Sequence, residues 1–439
     1  MIIKRTFFSL IYFLAYISGF AQYSVEGNLY TYSVDANTGI KGVYIANGLS
    51  NISISYTADN GKTVRWLSYK RSLADLTPVA SSQVSEVNNG STSTYTIATT
   101  EDATAYLAEE DGALKPALWI VDYSQHIPQM NSITATAADE CSDKRVMIAI
   151  DKSDKITYYS NSGADYDIKM QYKLQYSKQE WNNASNSFVT SAVTTNWQTV
   201  GSTLAVESPL IDTKFTLIGD KIADHFGIAK SISSDTYQEK VTEAHIVTTQ
   251  TASNADNEVS SDQTDGLGGS APAEISFTGN GNEPVANFYS WTIFNKADLK
   301  NWIARYNDKN ISYTFSNAGN YIVYLAITNQ SGSCTDTAHV EFSISESFLD
   351  LPNYFTPNAS PGENDEYKVA YKSLISFKAT IFNRWGNKLY EWSDPAKGWD
   401  GKYNGKYVTP GVYFVVVEAK GSDGVNYKRA RDINILTTP

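Results

Sequence analysis

The sequence predicts an all-β chain of successive small sandwiches, and three observations carry that prediction. Tyr, Thr and Ser are abundant while Met and Leu are scarce, a bias that favours strands over helices. Apolar residues recur with period two in many segments, and long stretches with the 3.6-residue period of a helix are hard to find. At 439 residues the chain is too long for one ordinary core and suits three or four units of about 100 residues each.

The first 21 residues read as a signal peptide. Lys4 and Arg5 form a basic start, Phe7 to Ile17 an apolar stretch and Gly19-Phe20-Ala21 a small-x-small cleavage site, so the expected mature start is Gln22. No Cys follows that site, so no lipid anchor is expected, and no later run reaches about 18 apolar residues, so no membrane span is expected. The net charge of −12 repels nucleic acid and anionic membranes, which leaves neither as an expected partner.

The first unit is placed at 22–137. Asn51 to Tyr56 alternates as a half-buried strand does, and Asp59-Asn60-Gly61-Lys62 is a hairpin signal, because Asn-Gly tolerates positive φ. The next strand carries Trp66 and has the pattern of the central strand of an immunoglobulin-like sandwich. Ala117 to Tyr123 is a further buried strand. A second β-sandwich is placed at 138–250, with strands at Arg145 to Ile150, Asp167 to Tyr176 and Phe215 to Asp220, and a short, helix-like connection at His225-Phe226-Gly227. Residues 251–270, rich in Ser, Asn, Asp and Gly, read as a linker. Gly266-Leu267-Gly268-Gly269 within it lacks the Lys-Ser/Thr ending of a phosphate loop. Cys141 and Cys334 fall in different units. An oxidising compartment permits a bridge between them, and two separate buried thiols are the simpler reading.

Residues 271–347 resemble a PKD-type domain, a small immunoglobulin-like sandwich, through Phe288 to Ile293, Tyr313-Thr314-Phe315 and Ala318-Gly319-Asn320-Tyr321 with the strand after it. The Gly-Asp-Gly that usually follows the Trp strand in that family is replaced by the polar stretch Asn295 to Asn310. That stretch, which includes Trp302, is expected to form a longer loop or short helix.

The tail, 348–439, has motifs of its own. They are Phe355, Pro357 and Asn358; Asn364 and Asp365; Asn383, Arg384, Trp385 and Gly386; Trp399, Asp400 and Gly401; and Gly411 and Tyr413. Pro and Gly at the reversals set the register of the apolar strands between them. In this order the motifs resemble the type B C-terminal sorting domain (gliding-motility-associated C-terminal domain) of proteins exported by the type IX secretion system of Bacteroidetes. The resemblance implies a small β-sandwich and a secreted or cell-surface location after signal-peptide-dependent export to the periplasm. It also implies partners in the type IX machinery, a PorP/SprF-like outer-membrane protein among them. The family's Gly-Asp-Gly loop is altered here to Ala359 to Asp365, so a hydrogen-bonded turn is expected there rather than a cation site. From Phe348 onward, 12 Lys/Arg against 10 Asp/Glu give 12 − 10 = +2, leaving −14 for the rest.

Nothing in the sequence points to catalysis, a cofactor or a metal. The four histidines, His126, His225, His245 and His339, lack zinc-motif spacing, and no Gly-x-Ser-x-Gly elbow occurs. Adjacent acids such as Glu109-Glu110 point to opposite faces of a strand. Trp119, Trp181, Trp197 and Trp302 are candidates for a sugar-stacking platform, with core packing as the competing role. Asp336-Thr337-Ala338 resembles a Bacteroidetes O-glycosylation triplet, with Thr337 as acceptor. The reading is a non-catalytic exported protein of immunoglobulin-like modules for adhesion or for a glycan or protein ligand. The rival is a secreted enzyme or polysaccharide-processing factor with an active site in the first two units.

Overall fold

Alternating patterns of the kind described produce strands almost throughout the computed structural model, which describes residues 22–139, 141, 143–251, 255–261, 263–358 and 364–436. The signal peptide and the core of the altered loop, 359–363, lie outside the described residues.

The first sandwich pairs one sheet of Tyr23–Glu26, Ser53–Asp59, Thr92–Ile97 and Val84–Asn88 with a larger one. That larger sheet holds Leu29–Tyr32, Ile40–Ala46, Ala117–Asp122, Thr104–Glu110 and Val64–Tyr69. Trp66 fills the space between them, and its indole N–H donates to the Tyr95 carbonyl at 3.2 Å. The Asn60-Gly61 turn forms, but it is not a hairpin. Ser53–Asp59 and Val64–Tyr69 belong to different sheets, so the turn carries the chain across the sandwich.

The larger sheet is covered on both faces. Leu118 and Ile120 face the core around Trp66, whereas Trp119 and Val121 face the second unit, which is why Ala117 to Val121 is an unbroken apolar run buried at every position. Trp119 and Tyr69 share their cluster with Ile148, Tyr158, Met170 and Phe215 of the second unit, so the two units have one continuous core. The second unit consists of Gln129–Ala137, Arg145–Ser153 and Thr203–Glu207, facing Ser187–Thr194, Tyr172–Asn182, Thr216–Gly219 and Lys230–Ser233. A short helix is present at Lys221–His225, one turn earlier than the expected connection at His225-Phe226-Gly227, with Phe226 as its C-cap. The Asp220 carboxylate caps it, accepting from the Ile222 and Ala223 amides at 2.8 and 3.0 Å, and also accepts the Tyr123 hydroxyl of the first unit at 2.5 Å.

Hydrogen bonding moves two of the expected edges. Gln129–Ala137 pairs with Arg145–Ser153 and so lies in the second unit rather than at the end of the first. Ala244–Gln250 pairs with Ala273–Gly281 and so lies in the third. That third unit sets Ala244–Gln250, Ala273–Gly281 and Asn310–Phe315 against Asp298–Tyr306, Ala286–Asn295, Gly319–Asn329 and Thr335–Ile344, with Trp291 fully buried between the sheets. The stretch expected as a loop or helix is thus largely an edge strand, Asp298–Tyr306. Two register shifts along it leave residues unpaired, which accounts for its weak alternation.

The cysteines are joined. Cys141 and Cys334 form a disulfide with Cα atoms 5.4 Å apart, which overturns the simpler reading of two separate thiols. Their 193-residue separation hid a neighbourhood that the junction of units two and three creates. Asn282 secures the same junction: its side-chain amide donates to the Leu210 and Val241 carbonyls at 2.8 and 2.9 Å, and its oxygen accepts the Glu243 amide at 2.8 Å.

The stretch read as a linker is a strap bound on both sides. The Asn257 side chain donates to the Val369 and Pro395 carbonyls at 2.8 Å, Lys368 pairs with Asp256 at 2.9 Å, and the Val259 amide donates to the Tyr371 carbonyl at 2.8 Å. Gly269 and Leu267 attach it to the third unit. Low apolar content signalled the absence of a core, but short polar side chains and free backbone groups are what such a strap uses.

Candidate functional site

The tail motifs converge on one small unit with its own core. A five-stranded sheet runs in the order Tyr354–Phe355, Asn426–Ile435, Gly411–Gly421, Leu374–Phe382 and Lys388–Trp392. Behind it, Phe355, Tyr367, Trp399 and Tyr413 form an aromatic cluster with ring centroids 5.5 to 5.9 Å apart. The Trp399 indole donates to the Lys402 carbonyl at 2.8 Å, and the Tyr413 hydroxyl to the Thr409 carbonyl at 2.8 Å. Burial at Tyr367 pushes its hydroxyl pKa well above the ordinary range.

Most of the motif residues build this unit. Phe355, Trp399 and Tyr413 are core, and Pro357 is buried against Gly401. Gly401 has a φ of +76°, and a Cβ there would stand 2.9 Å from two Pro357 carbons, so both reasons require glycine. Asn358 and Asn364 take positive φ on either side of the altered loop, and the Thr356 amide donates to the Asn364 carbonyl at 2.9 Å. Asp365 is half-buried beside them. Asp400 accepts the Lys402 amide at 3.0 Å and bridges its ammonium at 2.9 Å. Gly411, at φ +145°, starts the strand.

Arg384 and Trp385 behave differently. They stand on a tip whose backbone is fixed from below: the Asn383 side-chain oxygen accepts the Trp385 and Asn387 amides at 3.0 Å each, and the Gly386 amide returns to the Asn383 carbonyl at 2.9 Å. Trp385 is 72% exposed, and the Arg384 guanidinium lies 4.4 Å from its ring centroid.

The other candidates scatter. Trp119 is core, Trp197 is half-buried under Lys173, and Trp302 is exposed beneath Arg305. Trp181 stacks on His245 at 4.2 Å across the junction of units two and three. The four therefore form no common platform. Thr337 is exposed on Thr335–Ile344, while its neighbour Asp336 accepts the Ala244 amide at 2.9 Å. His126 pairs with Asp102 at 2.7 Å, and the nearby Ser124 hydroxyl donates to Asp122 instead, so no nucleophile–base pair forms there. Glu109 binds Arg65 while Glu110 binds Lys115 and Tyr56, on opposite faces as strand geometry requires. Among the described residues no cluster of three or more His, Cys, Asp or Glu is placed to hold a metal. Among them, too, no helix is long and apolar enough to cross a membrane.

Sequence reasoning missed the polar seam between units three and four. Ser373 is fully buried there. Its hydroxyl accepts the Ala271 amide at 3.1 Å, its amide donates to the Ser270 hydroxyl at 2.8 Å, and its carbonyl accepts the Ser422 amide at 3.0 Å. Isolated serines carry no signal that distinguishes such a role.

Residues 349–430 match the CHU_C Type IX secretion signal domain, and residues 133–234 match a fibronectin type III domain, Fn3_FA. No curated protein matches the chain in sequence. Among solved structures, the tetra-tandem repeat in the extending region of a large adhesion protein is 13% identical, covering 90% of this chain and 97% of that one at a TM-score of 0.22. The N-terminal eight Ig domains of the Down Syndrome Cell Adhesion Molecule, isoform 1.30.30, are 11% identical, covering 88% and 47% at a TM-score of 0.21. Neither likeness bears on function. The tail is thus a Type IX sorting domain, and the chain is a secreted or cell-surface protein in which β-sandwich modules precede that signal.

Proposed function

We propose that this is a non-catalytic adhesion or ligand-binding protein, carried out of the cell by its last unit and presenting the first three as a jointed arm. The observation that carries the reading is the match of a Type IX secretion signal domain to a terminal unit with its own buried core. Every junction in the arm is secured by a different device: a shared core, then a disulfide with Asn282, then a strap with buried serines. Such coupling suits a protein that holds a surface at a distance. A concavity of about 10 Å³ lies beside Tyr123 and Asp220, and an open one of about 460 Å³ beside Trp181. A cavity of about 1010 Å³ lies at the seam of units three and four.

We assign four modules, with edges at the sheet exchanges described above, and the tail motifs as the part the export machinery depends on, a PorP/SprF-like outer-membrane protein being the expected receptor. Thr337 is the proposed glycan acceptor. Intact-mass measurement of the secreted protein tests it, and an unmodified Thr337 ends that assignment. Adhesion is tested by exposing the mature secreted chain to arrays of glycans and extracellular proteins. Saturable binding to one class is expected, and uniform absence of binding on both would remove the adhesive reading.

A further inference from the structure

We infer that the export receptor reads the far pole of the sorting unit, an aromatic and cationic surface centred on Arg384 and Trp385. This rests on the export reading above and goes beyond it by naming the surface.

A receptor can read only what folding leaves outside. Of the tail motif residues, Phe355, Pro357, Trp399, Gly401 and Tyr413 are buried, and the asparagines and remaining glycines shape turns. Arg384 and Trp385 alone combine large side chains with exposure and no structural task for the indole. Exposing a Trp on a rigid turn is unfavourable in water, and Trp with Arg is the pair most enriched where partners bind tightly.

Register places more of the same chemistry beside them. Phe382, immediately before the tip, lies opposite Phe414 on the sheet's outer face, and Val412 lies opposite Asn434, which lies opposite Tyr354. Tyr354, Val412, Phe414 and Leu436 are 43 to 50% exposed. The hairpin Lys402–Tyr403 with Lys406–Tyr407 feeds into this end through Thr409 and Gly411, and both of its tyrosines are exposed.

The opposite end of the sheet is already occupied. Leu374 and Gly421 pair there, and their neighbours Ser373 and Ser422 are bound into the seam with the third unit. Leu374–Phe382 spans nine residues, so the tip stands about 26 Å from that seam. The cargo therefore holds one pole and leaves the other free. Charge points to the occupant. Arg384, Lys388, Lys402 and Lys406 stand at this pole; Lys402 and Lys388 already pair with Asp400 and Glu391, and Asp432 lies opposite Phe414, so the fitting partner is a protein that offers an aromatic-lined recess with an acidic group for Arg384.

The test uses the full chain expressed in a bacterium with the type IX machinery, measuring the share outside the cell against the share in the periplasm. Trp385→Ala with Arg384→Glu is expected to lower the exported share at least about tenfold. Phe288→Ala, which removes another exposed ring, from the third unit, is expected to leave it unchanged. Thermal unfolding of the purified variant must match the parent, and Trp385→Phe should restore most of the export. A chain ending at Ser347 separates the two claims. If that truncation is still exported, the export reading fails; if it is retained while the double variant leaves the cell normally, the pole assignment alone is overturned. Binding of the purified chain to phosphatidylglycerol vesicles, or self-association, that disappears in the double variant would identify a lipid surface or a second copy instead and would also overturn it.

Discussion

The first and last junctions of the arm solve the same problem with opposite materials. Units one and two are joined through Trp119, Tyr69, Tyr158 and Met170 in one apolar core, whereas units three and four meet through Ser270, Ser373, Ser422 and a polar strap. An apolar seam cannot be opened without exposing both cores to water, so the first two units should fold and fail together. A polar seam exchanges hydrogen bonds with water on opening, and each bond contributes only about 1 kcal/mol net. The sorting unit has its own buried cluster, and Ile375 of its first long strand packs against the third unit's core.

That contrast can be broken at several points. The largest effect is expected from Trp119→Ala, which opens a cavity at the shared core. A loss of about 3–5 kcal/mol is expected, in a single denaturant transition covering both units. Two separate transitions would mean that the core is not shared. Replacing Cys141 and Cys334 by Ser removes a link that closes 193 residues, and should lower the stability of units two and three by about 2–4 kcal/mol while leaving the tail's own unfolding unchanged. Domain-resolved hydrogen exchange would show it.

How much of this was legible beforehand follows from what a sequence pattern encodes. Period-two alternation located Ser53–Asp59 because it has one wet and one dry face, whereas the alternation from Asp167 to Tyr176 spans the end of one strand, Asp165–Asp167, and the start of another, Tyr172–Asn182. The run Ala117 to Val121 announced burial, but not that two different cores would receive its two sides. The Asn60-Gly61 turn was legible as a turn; whether it joins paired strands depends on partners 30 to 50 residues away. The tail motifs were readable as a set because most of them define turns and core. Which of them face solvent became visible only with the sheet in place. The disulfide, Asn282 and Ser373 were illegible because each acts through neighbours distant in sequence.

Smaller effects sharpen the comparison at its polar end. Ser373→Ala leaves the Ala271 amide buried without its acceptor, a loss of about 1–3 kcal/mol, with faster exchange at Ala271 and no change in the first two units. The smallest effect concerns Glu110. The Tyr56 hydroxyl, and then Lys115, hold its carboxyl below the usual carboxylate range. A depressed pKa in the folded state stabilises at neutral pH, and that contribution fades as pH falls through the folded-state pKa. Glu110→Gln should therefore lower stability at pH 7 by at most about 1 kcal/mol, and the difference from the parent should close as pH falls through the depressed folded-state pKa. A constant gap across that range would mean that the carboxylate charge is not involved.

The central claim is that the last unit is the export signal and the rest is what it carries. Its most direct test is fractionation of cells expressing the chain truncated after Ser347. A folded protein retained in the periplasm is expected, with its first three units intact by limited proteolysis. Appearance of that truncated chain at the cell surface or in the medium, at the level of the full chain, would contradict it.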